Sequence, residues 1–551
     1  MPNMNNYEEV YKSFKLDVPE YYNWARDEFD PWGKNPEKLA LWVVDDFGNE
    51  QKFTFAELTK LSNQLANVFR ANNIQPGDKI IIVLGRIPAF WLTMLASLRS
   101  GVVVSPGTSQ LTPKDIQYRF EASGAVAVIV DEEIAAKVDA VADKCPTLKT
   151  KIVVGKRDGW LSFDEEVANA SDKYDTYNSL ATDNSILYFT SGTTGMPKMT
   201  VHSHASYGLA HKITGKYWLD STENDLHWNL SDTGWAKAAW SSFFGPWNCG
   251  AAIFVHNGTG KFDGKQTLDL LSKFPITTLC GPPTAYRVFV QQDLKNYNFK
   301  TLRHCVAAGE PLNPEVIAVW KEATGTLIYD GYGQTETVLL VGNFPCFEVR
   351  PGSMGKMAPG FYIGLVDDEG KEVAPGVEGD IAVRVKPERP VGLFKEYYNE
   401  PERTANTFRG DWYITGDRGT KDTEDYIWFV GRADDVILSS GYRIGPFEVE
   451  SALIEHAAVA ESAVVASPDD VRGEVVKAFI ILAPGYEGSP ELVKELQNFV
   501  KNLTAPYKYP REIEFVDSLP KTVSGKIRRI DLREQEKQKK LLSKSEEGSA
   551  S

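Results

Sequence analysis

The chain has 551 residues, 42% of them hydrophobic, with 60 Lys and Arg against 75 Asp and Glu and a formal net charge of −15. One hydrophobic core does not extend over that length, so two or more domains are expected. The composition excludes disorder and fibrous repeats, and the acidic balance argues against general nucleic-acid or anionic-membrane binding.

The predicted elements begin with an alternation of helix and strand. Thr54 and Glu57 form a T-x-x-E capping box ahead of an apolar stripe at Leu58, Leu61, Leu65 and Val68. Residues 79–84 read as a buried strand, 90–98 as a helix ended by Gly101, and 102–105 as a second strand. Pro113 opens another helix, and 126–130 follow as a strand. Such alternation predicts parallel α/β layers. Beyond residues 431–435 the pattern changes to a unit of roughly 110 residues, large enough to fold independently. In it, helices near 447–456 and 490–503 alternate with strands near 463–466, 475–482 and 512–516. From Glu534 the chain is rich in Lys, Gln, Glu and Ser, which predicts a frayed helix and then a disordered tail that activity does not need. The expected division is 1–433, 434–533 and a tail at 534–551.

Five cysteines (Cys145, Cys249, Cys280, Cys305, Cys346) form no CxxC pair, so neither a disulfide framework nor a zinc ribbon is expected. The first thirty residues resemble neither a secretory signal nor an Arg-rich transit peptide. The longest apolar stretch, 89–98, is too short for a membrane span. Together these features predict a soluble, cytoplasmic protein.

Residues 188–198 (YFTSGTTGMPK) carry the strongest chemical signal. A strand at 185–189 runs into a loop of hydroxyls and glycines that ends in a lysine: Thr190, Ser191, Gly192, Thr193, Thr194, Gly195, Met196, Pro197, Lys198. Glycines admit a phosphate close to the backbone, hydroxyls and amides donate to its oxygens, and lysine supplies a point charge. No Gly-Lys-[Ser/Thr] follows, which disfavours a P-loop nucleotide hydrolase. His202 and His204 make too few ligands for a metal site and read as packing near this loop.

This run resembles the phosphate loop of the adenylate-forming superfamily, which includes acyl-CoA synthetases, aryl-CoA ligases, peptide-synthetase adenylation domains and luciferase. Further resembling segments follow in the family's order. They are Gly309, Glu310, Pro311; then Asp330, Gly331, Tyr332, Gly333, Gln334, Thr335, Glu336; then 413–417 (YITGD), 431–436 (GRADDV) and 520–526 (PKTVSGK). The resemblance implies an α/β fold, with a large N-terminal domain of layered α/β subdomains and a small, mobile α+β C-terminal domain. It implies ATP, Mg²⁺ and coenzyme A as cofactor and cosubstrates.

By that likeness the 190–198 loop holds the leaving phosphates, Thr335 the α-phosphate and Glu336 the Mg²⁺. Tyr332 stacks on adenine within the Gly309–Pro311 and Asp330–Gln334 segments, and Asp417 and Arg432 hold the ribose. Lys526 bridges carboxylate and α-phosphate, and Asp434 is the hinge. The closest likeness is to medium-chain acyl-CoA synthetases, through segments such as 231–235 (SDTGW), 439–445 (SSGYRIG) and 504–511 (TAPYKYPR). It places Ser440, Gly441 and Tyr442 on the pantetheine tunnel and Arg443 on the nucleotide. Arg472, Lys501, Tyr509, Pro510 and Arg511 then fall near the coenzyme A phosphates.

For the acyl pocket, acetate-specific relatives carry Trp at the position of Gly333, so glycine leaves room for a tail. Trp235, Trp240, Phe243 and Phe244 would supply its wall, with Ala307 and Gly360 small at its end. The predicted activity is ligation of a medium-chain or branched short-chain fatty acid to coenzyme A, in fatty-acid metabolism. A benzoate-like aryl acid is the alternative substrate, and a catalytically silent nucleotide-binding protein the alternative class. Monomer and homodimer both remain open.

Overall fold

The computed structural model describes residues 1–190, 196–260, 262–310, 312–439, 442–469, 472–521 and 526–549, with the side chains of 443 and 543–549 left out. Of the predicted site residues, Ser191, Gly192, Thr193, Thr194, Gly195, Pro311, Ser440, Gly441 and the side chain of Arg443 lie outside the described residues. The chain divides into two compact units. One comprises Met1–Pro351, Gly355–Tyr362 and Val385–Phe408, and the other Gly352–Met354, Ile363–Arg384 and Arg409–Ser551.

Two sheets build the first unit. In one of eight strands, Lys79–Val83 is paired in parallel with Val103–Pro106 and with Ala127–Asp131. The isoleucines of Lys79–Val83 are buried on both faces, as expected for a central parallel strand. Their alternation sorts them: Ile80 and Ile82 join one core, Ile81 and Val83 another. The helices Phe55–Ala71 and Pro88–Ser100 feed the first of these cores. The capping box at Thr54 and Glu57 is formed, and Gly101 ends the second helix at φ 72°. The same core takes Leu41, Val43, Ile253 and Val255 from the second sheet, so the helices are a layer shared by both sheets.

That second sheet has nine strands, with a parallel centre running through Leu226–Asn229, Thr278–Gly281, His304–Ala308 and Ile328–Gly333. Open parallel sheets present their ligand sites beyond the carboxyl ends of the strands. Both the Gly309 loop and the Asp330–Glu336 segment leave the sheet from such ends.

The second unit holds an antiparallel sheet of Ile363–Val366, Gly379–Arg384, Trp412–Lys421 and Ile427–Arg432. It also holds the α+β fold built on the long hairpin Val459–Asp469 and Gly473–Leu482. The helices Pro446–Ile454 and Pro490–Leu503 pack on that hairpin. The predicted boundary at 434 therefore differs from the division of the structure, where Ile363–Arg384 and the residues from Arg409 group with the C-terminal residues. Local patterning distinguishes a strand from a helix but not which later strand completes its core.

The tail from Glu534 begins as the expected helix but is docked rather than frayed at its start. A helix runs Arg529–Ser549, and Glu536 is 2% exposed. Its carboxylate accepts from Lys477 Nζ at 2.5 Å and from Ser467 Oγ at 2.9 Å. Burial would lower the Lys477 ammonium, but its bonds to Glu514 and Glu536 hold it above the usual lysine value. A buried cation deprived of a partner is costly, so this polar segment is structural. Glu536→Ala is expected to lower unfolding stability by about 3 kcal/mol, the low end for a broken buried pair because Glu514 remains. An unchanged urea midpoint would contradict the role given to the helix.

Candidate active site

The strand Asn184–Thr190 buries Ile186, Leu187, Tyr188 and Phe189 and pairs antiparallel with Lys198–Ser203. Thr190 and Lys198 face each other across the ladder, so the two ends of the glycine- and hydroxyl-rich segment lie side by side. Met196 is exposed, and the Pro197 carbonyl accepts from Tyr118 Oη at 3.0 Å. At the sheet edge, Glu396–Tyr397 pairs with Thr200 and Val201. This brings the Tyr397 ring to 4.9 Å from Lys198 Nζ.

The adenine-assigned segments are neighbours in the other sheet. Ala307 pairs with Asp330 and Ala308 with Gly331, so the Gly309 loop leaves the sheet beside the 330–336 segment. Gly309 has φ 98°, a region that suits glycine, while Lys237 donates to the Ala308 carbonyl. Glu310 is ion-paired to Arg287 at 3.1 Å and accepts from Thr284 at 3.0 Å. A Cβ on Gly331 would lie 2.3 Å from the Trp218 ring, so this glycine is required by close packing. Burial raises the Asp330 carboxyl to about 8, against the lowering pull of the Gly331 N–H and the Lys237 charge. It is therefore largely protonated at neutral pH and offers a donor as well as an acceptor.

Thr335 and Glu336 follow in a tight turn in which Gln334 N–H donates to Thr337 Oγ1 at 3.0 Å and Thr337 N–H returns to the Gln334 carbonyl at 3.1 Å. Three contacts fix this turn from the side of the phosphate segment. His202 Nε2 lies 2.7 Å from the Thr335 carbonyl, Phe394 N–H donates to the Glu336 carbonyl at 2.7 Å, and Tyr397 Oη donates to Glu336 Oε1 at 2.8 Å. The expectation that His202 packs near the phosphate loop is met in place, but the ring also makes a specific bond. Burial lowers its pKa to about 4 and so keeps it neutral. Tyr397 and Lys237 escaped sequence reasoning because each touches a site residue more than 60 positions away.

In the second unit, the two ribose-assigned residues stand opposite each other on adjacent strands, with Arg432 Nε 3.8 Å from a nearly buried Asp417. Asp434 follows in an exposed turn whose carbonyl accepts from Arg533. Lys526 is exposed. Tyr509 lies between two cations, Lys501 Nζ at 3.9 Å and Arg511 at 4.9 Å from its ring, beside a buried Pro510. Tyr442 stacks on Tyr507 at 4.3 Å, both largely exposed. Arg472 is half-buried, with its N–H on Asp469.

The residues assigned to the acyl wall stand in different surroundings. Phe243 and Phe244 are fully buried core, packed on Trp24 with centroids at 5.1 and 4.9 Å, and Phe243 also on Trp247 at 4.7 Å. Gly360 sits at an exposed turn, φ 86°, where a Cβ would meet Phe14 at 3.0 Å. Gly333 is glycine for a local reason, since a Cβ there would lie 2.6 Å from the Val338 carbonyl oxygen. Trp240 is half-buried against Trp218 at 5.6 Å, and Trp235 half-buried at the start of the helix Ala236–Ala239.

Comparison with known proteins agrees with this geometry. Residues 29–398 match the family model described as AMP-binding enzyme, and 448–526 the AMP-binding enzyme C-terminal domain. The chain is 52% identical over 545 residues to the Mus musculus acyl-coenzyme A synthetase ACSM3, mitochondrial, covering 97% of this chain and 94% of that one. It is 51% identical to the Homo sapiens acyl-coenzyme A synthetase ACSM4, mitochondrial, covering 94% of this chain and 91% of that one. Among solved structures it resembles the anthranilate CoA ligase AuaEII in complex with anthranoyl-AMP, with TM-score 0.89, 30% identity, and coverage of 96% and 100%. The names of both mammalian relatives overturn the cytoplasmic expectation. That expectation rested on the unpaired cysteines, the first thirty residues and the short apolar stretch, whereas a compartment address is a receptor-read signal separate from the folded body.

Asp330 yields a pH test. The folded state keeps a proton that the unfolded carboxyl, ordinarily near 3.8, has lost, so stability falls as pH rises between about 4 and about 8. Asp330→Asn removes that titration. Its melting temperature relative to the unsubstituted protein is expected to climb between about pH 5 and about pH 9, and a flat difference would contradict the buried, protonated carboxyl.

Proposed function

The chain belongs to the AMP-binding enzyme family, and on that premise we propose which of its residues activate a carboxylic acid and which acid that is. It is an ATP-dependent, AMP-forming acyl-CoA synthetase. The acid attacks the α-phosphorus of ATP, pyrophosphate leaves, and the acyl-adenylate then passes its acyl group to the coenzyme A thiol with loss of AMP.

A carboxylate approaching a triphosphate brings two anions together, so charge must be neutralised where it develops. The segment from Thr190 to Lys198 holds the leaving phosphates, Thr335 the α-phosphate, and Asp417 with Arg432 the ribose diol. Lys526 neutralises the reacting carboxylate and α-phosphate. The observation that carries this reading is Tyr397. Its ring face meets the Lys198 ammonium at 4.9 Å, and its hydroxyl holds Glu336 at 2.8 Å. Phosphate lysine and acid are therefore set against one rigid side chain.

Mg²⁺ binds proteins through one or two carboxylates together with substrate phosphates, and does not need a cage of protein ligands. Among the described residues no group of three or more His, Cys, Asp or Glu stands together, while Glu336 offers an oriented carboxylate. That donor set fits Mg²⁺, which when bound supplies charge neutralisation on the phosphate oxygens. The basic residues around Tyr509 suit the coenzyme A phosphates.

The acid is a medium-chain or branched short-chain fatty acid, supported by the 52% identity to ACSM3. The mammalian names support a mitochondrial setting. Each buried methylene is worth about 0.8 kcal/mol, or about fourfold in kcat/KM. Pyrophosphate release screened from acetate to dodecanoate, with branched acids and benzoate, is expected to rise by that factor per carbon to a medium-chain maximum. A maximum at acetate or benzoate would contradict the assignment.

A further inference from the structure

His202 lies on the strand Lys198–Ser203 that follows the phosphate segment, with its ring fully buried 4.5 Å from that of Tyr207. Nε2 stands 2.7 Å from the Thr335 carbonyl oxygen and Nδ1 3.0 Å from Ser206 Oγ. A carbonyl can only accept, so Nε2 carries the ring proton and Nδ1 accepts from the serine hydroxyl. Ser206 is itself fixed. Its N–H donates to Ser203 Oγ at 3.0 Å, and its Oγ accepts from Ser203 N–H at 2.9 Å, leaving the hydroxyl proton directed at the ring. One tautomer is thereby imposed by two serines and a carbonyl.

We propose that His202 is a positioning residue for acid activation: it holds the Thr335 carbonyl and so sets the peptide plane that carries Thr335 and Glu336. Because the peptide unit is planar, fixing that oxygen also fixes the Glu336 amide. The next peptide is held by Phe394 N–H on the Glu336 carbonyl. The inference rests on the assignment of Thr335 and Glu336 to the nucleotide. Misplacement of a reacting group by about 1 Å costs on the order of 10²-fold in rate, so the bond acts through geometry, with no proton transfer by the ring.

The test uses the full-length enzyme with octanoate, ATP and pyrophosphate exchange, and separately with octanoyl-adenylate and coenzyme A. Gln at 202 can place an amide N–H where Nε2 stands, whereas Asn is too short to reach Thr335. His202→Asn is expected to lower kcat for exchange about 30-fold. Its KM for octanoate should stay within about threefold, as should thioester formation from octanoyl-adenylate. His202→Gln should recover exchange to within about fivefold of the unsubstituted enzyme. Ser206→Ala, which leaves the ring volume intact, should cost about fivefold in exchange by releasing the tautomer.

Equal impairment of the Asn and Gln variants at unchanged melting temperature would overturn the proposal. Parallel loss of both half-reactions, or full exchange activity in the Asn variant, would do the same. Thr335→Ala measured alongside separates the premises. Loss there with an unaffected His202→Asn overturns this inference alone, while no loss there overturns the nucleotide assignment and this inference with it.

Discussion

The four-residue turn from Gln334 to Thr337 is held by bonds from two residues of a different sheet, His202 and Tyr397, and from Phe394 just ahead of its edge strand. The turn leaves the carboxyl end of Ile328–Gly333, and the strand that leads to the phosphate segment ends at Thr190. Two parallel sheets that share one helical layer could slide relative to each other by fractions of an ångström with little loss of apolar contact, because burial is non-directional. Hydrogen bonds are directional, and three of them meet at the place where phosphates and acid must be in register. Placement of the strands that flank the phosphate segment against the turn therefore depends on this small polar joint.

The joint explains several otherwise unrelated features. A neutral, buried histidine follows from a site that needs a donor of one tautomer and no charge near its carbonyl target. A tyrosine on a two-residue edge strand is long enough to reach Glu336 while presenting its ring to Lys198. Glycines at 331 and 333 are the complement of that rigidity. Where the backbone is pressed against Trp218 and Val338, a side chain has no space.

Much of this was legible in the chain. The capping box at Thr54, the glycine stop at Gly101, the strand of isoleucines at 80–82 and the α+β pattern after residue 440 are local signals, and local physics realises them. Strand pairing also sets Thr190 beside Lys198, the Gly309 loop beside the Asp330 segment, and Asp417 opposite Arg432. What was not legible is long-range. The burial of Phe243 and Phe244 against Trp24 and the docking of Glu536 on Lys477 each depend on a partner distant in sequence. A Lys/Glu-rich segment reads as solvated until one of its acids meets a buried cation. The compartment was misread for a different reason, since cysteine pattern and apolar length do not encode an address.

The central claim is that Glu336 works because Tyr397 holds it. The most direct measurement is the Mg²⁺ concentration needed for half-maximal pyrophosphate release in Tyr397→Phe, a change that removes one hydroxyl and keeps the ring over Lys198. Loss of an outer-shell bond to a metal-binding carboxylate typically costs about 10- to 100-fold in metal affinity. The account predicts an increase of at least about tenfold in the required Mg²⁺, and an unchanged requirement would contradict it.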